Sequence, residues 1–282
     1  MNIDFIKKKY IYLIISIVLC IISILIVIKK NLTLGLEFCS GTEIEIQLTQ
    51  EIKIEDLKNA LSKIKNTKIN YYGSNKNIQI KTKNTQNKVD EIKNILKTNS
   101  NSQNIKIINS TYIGSEISKE TIKKSLSAII IAVLSMTLYL IIRFNLMFAF
   151  SAIITLLHDI TILIGIISLA EIELDLIIIS ALFTIFGYSI NDTIIIFDRI
   201  RESIKYNKNK LTLSEIINNS INKTLSRTIS TSLSTILVTV ILMFFAGESL
   251  FLFSLILTLG IIIGTYSSIY ISAIPLTFLK KI

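Results

Sequence analysis

The sequence predicts a mainly α-helical membrane protein of six spans with a small α+β domain inserted after the first. Six apolar runs each reach the roughly 18 residues needed for a bilayer-crossing helix. Mean hydropathy is +0.60, with 51% hydrophobic residues and one proline among 282. A polar stretch after the first run breaks into short segments that alternate with period two or recur with helical spacing.

The runs cover Tyr10 to Ile28, Ser125 to Ile142, Leu146 to Leu169, Leu174 to Phe197, Thr228 to Ala246 and Leu250 to Leu279. At 1.5 Å per residue each crosses a hydrocarbon core of about 30 Å, and the last is long enough to tilt or bend near Pro275. The first run imitates a signal peptide but is too long and lacks a small-residue cleavage site, so it reads as a retained span. Cys20 lies inside it and Cys39 just beyond, so both are expected to be free.

Between Asn31 and Ser118 the order is EIEIQL (43–48), amphipathic IEDLKNALSKI (54–64), KINYYG, NIQIKT, a helical TQNKVDEIKNIL (85–96) and NIKIINSTYI. This is β-α-β-β-α-β, the ferredoxin-like order, with Gly73 and Asn75 supplying the central turn. The shortness of the stretches leaves a disordered Asn/Lys-rich linker as the alternative. The chain divides into a tail and first span (1–30), the α+β domain (31–118), spans two to four (119–198), an inner loop (199–226) and spans five and six (227–282). In the inner loop Ile200, Ile204, Ile216, Ile217 and Ile221 recur at helical spacing among charges, which predicts amphipathic helices lying on the membrane surface.

Six spans put both termini on one side. Lys7 to Lys9, Arg143, the block from Arg199 to Arg227, and Lys280 and Lys281 flank that side, whereas Glu171, Glu173, Asp175 and Glu248 flank the other. The basic side is expected to be cytoplasmic; the net charge of +10 then reflects loop asymmetry rather than nucleic-acid binding. No phosphate-binding Gly-rich loop, metal-spaced Cys/His set or soluble catalytic domain is recognisable, so no metal, cofactor or enzymatic activity is expected.

The chemistry concentrates in GYSINDTIIIFDRIRES (187–203). An Asp at a helix centre costs about 2.5 to 3.5 kcal/mol to insert, and each large apolar residue returns about 0.3 to 0.6. The roughly thirteen such residues of the fourth span return about 4 to 8 kcal/mol, so the span inserts despite Asp192. Ser189, Asp192 and Thr193 share one helix face, and Gly187 and Asn191 the neighbouring one. Such a polar sector serves either helix packing or an ion or proton route. Arg227, followed on its face by Thr231 and Ser234, is the candidate cationic partner of Asp192, with a snorkelling anchor as the alternative. His158 and Asp159 fall near the centre of the third span, where packing and proton transfer are both open; Asp159, harder to bury, is the better functional candidate. Neighbouring helix positions point about 100° apart, so the two need not touch.

These blocks resemble the SecD/SecF family of protein-export membrane proteins in its SecF-type members. GYSINDT (187–193), FDRIRE (197–202), SRTISTSLST (226–235), HD (158–159), YIGSEI (112–117) and GLEFCSGTEIEI (35–46) match in family order across essentially the whole chain. Gly187, Asp198, Arg199, Gly114, Glu116 and Gly41 are the motif positions read as structural. The resemblance implies a half-bundle of the resistance-nodulation-division (RND) superfamily with a periplasmic ferredoxin-like domain, in the bacterial inner membrane. It also implies pairing with SecD, action at the SecYEG channel with YajC as a further partner, and use of the proton-motive force on translocating polypeptides, with Asp192 and Arg227 in proton passage. The chain departs after the first span, where Glu37, Phe38, Cys39, Ser40 and Gly41 replace the usual Asp-Phe-x-Gly-Gly; Ser40 enters φ > 0 less freely than glycine.

Two other classes fit less well. A proton-coupled small-molecule transporter subunit of the same superfamily would use the same charges but typically carries larger outer insertions than the 88 residues from Asn31 to Ser118. An intramembrane hydrolase using Ser189 and His158 is weakly suggested, because the motif reads GxSxN rather than GxSxG.

Overall fold

A computed structural model describes residues 3–48, 61, 64, 66–72, 74–83, 88–99, 105–207 and 211–278. In chain order the elements are α1 (Lys9–Lys30), α2 (Leu36–Cys39), β1 (Gly41–Leu48), β2 (Thr67–Tyr72), β3 (Ser74–Lys83), α3 (Val89–Asn99) and β4 (Ile105–Ile113). They continue as α4 (Ser115–Arg143), α5 (Leu146–Leu169), α6 (Leu176–Asn207), α7 (Leu213–Phe245) and α8 (Glu248–Tyr270), followed by a 3₁₀ turn at Pro275–Phe278.

The described residues contain six helices long and apolar enough to cross a membrane. These are α1 and α4 to α8, in the order expected. About half of the apolar stretch of the third, fourth and sixth spans is buried within the chain, against less than a fifth of that of the first, second and fifth. Pro275 does not bend the last span; the helix ends at Tyr270 and a 3₁₀ turn starts at the proline, which cannot donate into a preceding α-turn.

Helix starts are fixed by local side chains. Asn145 accepts hydrogen bonds from the amides of Met147 and Phe148 and so caps the third span. Asp175 accepts from the amide of Ile178 at the head of the fourth. Thr212 and Glu215 form a reciprocal capping box at the start of α7.

The expected surface helices of the inner loop are not separate elements. DRIRESIKYN continues α6 and LSEIINNSINKTLSR opens α7, so both are extensions of spans. Ile200, Ile217 and Ile221 are buried in one cluster with Phe5, Phe148 and Phe197, and Ile204 packs against it. The apolar stripe that suggested a lipid surface instead pairs the two helix extensions with each other and with the N-terminal tail. Two asparagines one turn apart clamp that tail. Asn222 bonds both the amide and the carbonyl of Ile3, and Asn218 bonds the carbonyl of Ile3 and the amide of Phe5. Lys9 bonds Thr277, so the described ends of the chain and the start of α7 lie at one end of the bundle.

At the other end the four strands form an antiparallel sheet of order β2-β3-β1-β4, the ferredoxin-like arrangement. Ile44, Ile46, Ile69, Ile78 and Ile80 fill one face with Ile92 of α3. The helix expected over 54–64 lies outside the described residues except Leu61 and Ile64, which are buried in this same cluster. Gly73, Lys280 and Lys281 also lie outside them.

The departure at Ser40 falls where the backbone is strained. Ser40 has φ 58° and ψ 160°, and Gly41 follows at φ 147°. A side chain at Gly41 would collide with the carbonyl oxygen of Thr82, so only glycine fits there. Ser40 carries a backbone strain that a glycine at this position would avoid, of order 1–3 kcal/mol. Ser40→Gly is therefore expected to stabilise the protein by about 1 kcal/mol, read as a raised unfolding midpoint in detergent. A methyl group at Gly165 would stand 2.8 Å from the Cα of Ser23, where the first and third spans touch. Gly165→Ala should push those helices apart and lower the same midpoint by about 1–3 kcal/mol.

Candidate functional site

The polar residues of four spans meet inside the bundle around two carboxylates. Asp159, on the third span, is fully buried. Its Oδ2 accepts from Ser189 of the fourth span at 2.6 Å and from Ser267 of the sixth at 2.8 Å. Its Oδ1 is 2.9 Å from Nδ1 of His158, so the adjacent pair does touch. Side-chain torsions close the angle that helix geometry opens between neighbours. Both oxygens of Asp159 are engaged, and three spans are tied to one group.

The same contacts separate Ser189 from His158. A hydrolase would need the imidazole on the serine hydroxyl, but Ser189 donates to Asp159 instead. Nε2 of His158 is buried with no partner among the described residues. Its ring lies 6.4 Å from that of Tyr266, whose hydroxyl is 3.2 Å from Ser16 and donates to the carbonyl of Tyr12.

Asp192, one helical turn beyond Ser189, is held far more loosely. It is 1% exposed; Ser232 of the fifth span approaches Oδ2 at 3.4 Å, and Oδ1 has no partner among the described residues. Ser232 is 2.7 Å from Thr265 of the sixth span, so its hydroxyl is shared. The fourth and sixth spans come close here because Gly264 leaves room beside Ser189. Thr193 is buried but bonds its own backbone at Ser189 rather than the carboxylate. Gly187 and Asn191 face outward, and a Cβ at Gly187 would meet nothing within the chain.

Arg227 lies within electrostatic range of Asp192 but forms no ion pair with it among the described residues. Asp192 meets the fifth span at Ser232, five residues further on, a rise of about 7.5 Å. Arg227 is an exposed residue of that helix. Spacing alone put the two charges at similar depth; the helix contact offsets them by more than a turn.

The motif positions treated as structural serve the ends of the bundle. Asp198 receives Arg143 at 2.8 and 3.1 Å and lies 3.4 Å from Arg201, which also donates to the carbonyl of Arg143. This joins the second span to the fourth, with Phe197 packed edge-on against Phe144 and Phe148. Arg199 pairs with Glu202 at 2.6 Å. Gly114 precedes α4 as its cap residue, and Glu116 is exposed on its first turn. Cys20 and Cys39 are free.

At the sheet end, the strand following α1 forms a parallel bridge between Leu34 and Leu174. Glu173, beside it, accepts from Lys83 at 2.6 Å and lies within 3.3 Å of Lys68 and 3.7 Å of Lys81. Half-burial raises the Glu173 carboxyl, but the hydrogen bond and charge of Lys83, with Lys81 and Lys68, outweigh it and hold the group below the ordinary glutamate range. A depressed value means the stabilisation is complete above the unfolded value and is lost only as pH falls through the folded one, so the cluster persists at neutral pH.

Ser232, Thr265 and Ser267 went unrecognised in the sequence. The available signals were the run SRTISTSLST in the fifth span, which holds Ser232, and TYSSIYIS in the sixth, which holds Thr265 and Ser267, where polar residues recur within an apolar helix.

Comparison with known proteins bears on this arrangement. The profile of the family described as protein export membrane protein SecD/SecF, C-terminal, matches residues 91–281. The chain is 39% identical to the protein translocase subunit SecF of Thermodesulfovibrio yellowstonii, covering 99% of this chain and 95% of that protein. It is 36% identical to the SecF subunit of Calditerrivibrio nitroreducens, over 96% of this chain and 92% of that one. Among solved structures, the SecDF crystal structure from Thermus thermophilus superposes with a TM-score of 0.87 at 30% identity, over 98% of this chain but 38% of the longer one. Sequence, span order, sheet topology and these matches together make the chain a SecF-type member of the SecD/SecF family of protein-export membrane proteins.

Proposed function

We propose that this chain pairs with a SecD-like protein in a twelve-span, pseudo-two-fold assembly at the SecYEG channel, with YajC as a further partner, and uses the proton-motive force to assist late polypeptide export. The assembly sits in the bacterial inner membrane. Both termini and Arg143, Arg199 and Arg227 face the cytoplasm, and the sheet faces the periplasm.

The observation that carries the reading is the contrast between the two carboxylates. Asp159 has both oxygens engaged, Oδ1 by His158 of its own span and Oδ2 by the fourth and sixth spans, whereas Asp192 keeps Oδ1 without a partner among the described residues. A group that gains and loses a proton needs a site where either form is tolerated, and Asp192 has one. Its protonation changes its attraction to Arg227 and its hold on Ser232, which biases the packing of the fourth span against the fifth. One proton crossing the membrane releases about 2.3 kcal/mol per 100 mV, enough to shift a balanced pair of arrangements.

The need for a partner has its own support. Asn191 faces outward beside Gly187 on the fourth span, and the hydroxyls of Thr184 and Ser234 on the outer faces of the fourth and fifth spans bond back to their own helices. Polar groups turned toward lipid are costly, so these faces call for a protein surface. A SecD-like protein is the partner the family supplies.

Asp192→Asn is expected to express and assemble normally but to lose proton-dependent stimulation of export in membrane vesicles; normal stimulation would refute the relay. Ser267→Ala removes one donor from Asp159 and should lower the unfolding midpoint by about 1–3 kcal/mol while leaving proton-dependent stimulation in place. Loss of stimulation at full stability in that variant would assign the relay to Asp159 instead.

A further inference from the structure

We propose that Glu173 is a positioning residue that latches the sheet to the head of the fourth span, so that movement of that span is delivered to the sheet through this carboxylate. That the movement is driven by protons at Asp192 rests on the function proposed above; the latch itself stands on its own geometry.

The sheet is covalently joined to the first span through residues 31–40 and to the second through Gly114. Its third attachment is non-covalent and reaches the loop between the third and fourth spans. There the amide of Gly35 donates to the carbonyl of Leu174 at 2.9 Å, and the amide of Leu174 donates to the carbonyl of Thr33 at 2.7 Å. Among the described residues, every side-chain ion pair between the sheet and this loop ends on Glu173: Lys68 from β2, and Lys81 and Lys83 from β3.

An exposed ion pair contributes little, but this cluster differs in three ways. Lys83 and Glu173 are only 14% and 18% exposed, so water screens them weakly. Lys81 and Lys83 are two apart on β3 and Lys68 is the register partner of Lys81, so three ammonium groups crowd one region of the sheet. Without the carboxylate they would repel one another as well as lose a partner. Third, Lys83 also donates to the carbonyl of Leu34 at 2.6 Å, which ties the charge cluster to the backbone bridge.

The position gives the latch its role. Glu173 stands two residues before Asp175, the cap of α6, and α6 runs unbroken through Ser189 and Asp192. A shift of this helix carries Glu173 with it, and three lysines carry the sheet.

The test uses the full chain in complex with its partner, reconstituted in vesicles. Spin labels at Ala170→Cys and Asn109→Cys, with Cys20 and Cys39 replaced by alanine, report the distance from the loop to the sheet. Glu173→Gln should broaden that distance distribution and cut proton-stimulated export by about fivefold or more, while proton uptake by the vesicles is unchanged. Glu173→Asp, which keeps a carboxylate among the three lysines, should retain the narrow distribution and most of the export that Glu173→Gln loses, which a role of side-chain bulk alone would not predict. A narrow distribution in Glu173→Gln, or a broadened one with full export, would overturn the latch. Failure of the proton reading registers separately, as normal export in Asp192→Asn, and leaves the distance measurement valid.

Discussion

Hydrocarbon offers a polar side chain no hydrogen bond, and the bundle is organised around meeting that constraint at Asp159. One carboxylate engages the His158 ring of its own span and accepts from the fourth and sixth spans, whose donors are short hydroxyls that permit close helix contact. Gly264 beside Ser189 serves the same end from the opposite helix. Remove the carboxylate and Ser189, Ser267 and His158 all lose a buried partner together, which is why the site reads as one unit.

Asp192 inherits its setting from that unit. Ser189 anchors the fourth span, and the next turn presents Asp192 toward the fifth, where Ser232 is the hydrogen-bond partner among the described residues. Tight and loose polar contacts thus alternate along one helix. The tight contact fixes where the helix is, and the loose one leaves a choice of arrangement to the groups beside it. At the bundle's ends the charges do simpler work, with Asp198 holding Arg143 and Arg201 at one end and Glu173 holding lysines at the other.

The spans were legible because apolar length is a property of the sequence itself, and the strand order because EIEIQL and NIQIKT alternate as half-buried strands must. Asp159 and Asp192 stood out because a carboxylate in an apolar run is rare. Ser232 and Ser267 did not, because hydroxyls within spans usually bond the carbonyl one turn back, as Thr193, Thr235 and Thr258 do here. Nothing in one chain's spacing distinguishes the few that reach across. The stripe of isoleucines from Ile200 to Ile221 was similarly ambiguous, since an amphipathic face fits another helix as well as a membrane surface; the clamp on Ile3 and Phe5 decided for packing. Arg227 was placed by counting from a helix end, which fixes height but neither azimuth nor the offset of the neighbouring helix.

The fourth span is a single unbroken helix of 32 residues, from Leu176 to Asn207. It is a stiff rod of about 48 Å with its pivot near the middle, where Ser189 is pinned. A see-saw of this kind turns a small tilt at the centre into opposite displacements at its tips: about 2 Å each for 5°. Whatever grips the tip at the sheet end and whatever touches the opposite tip must therefore move in opposite directions, and the two ends of the bundle would be linked by the rigidity of one helix.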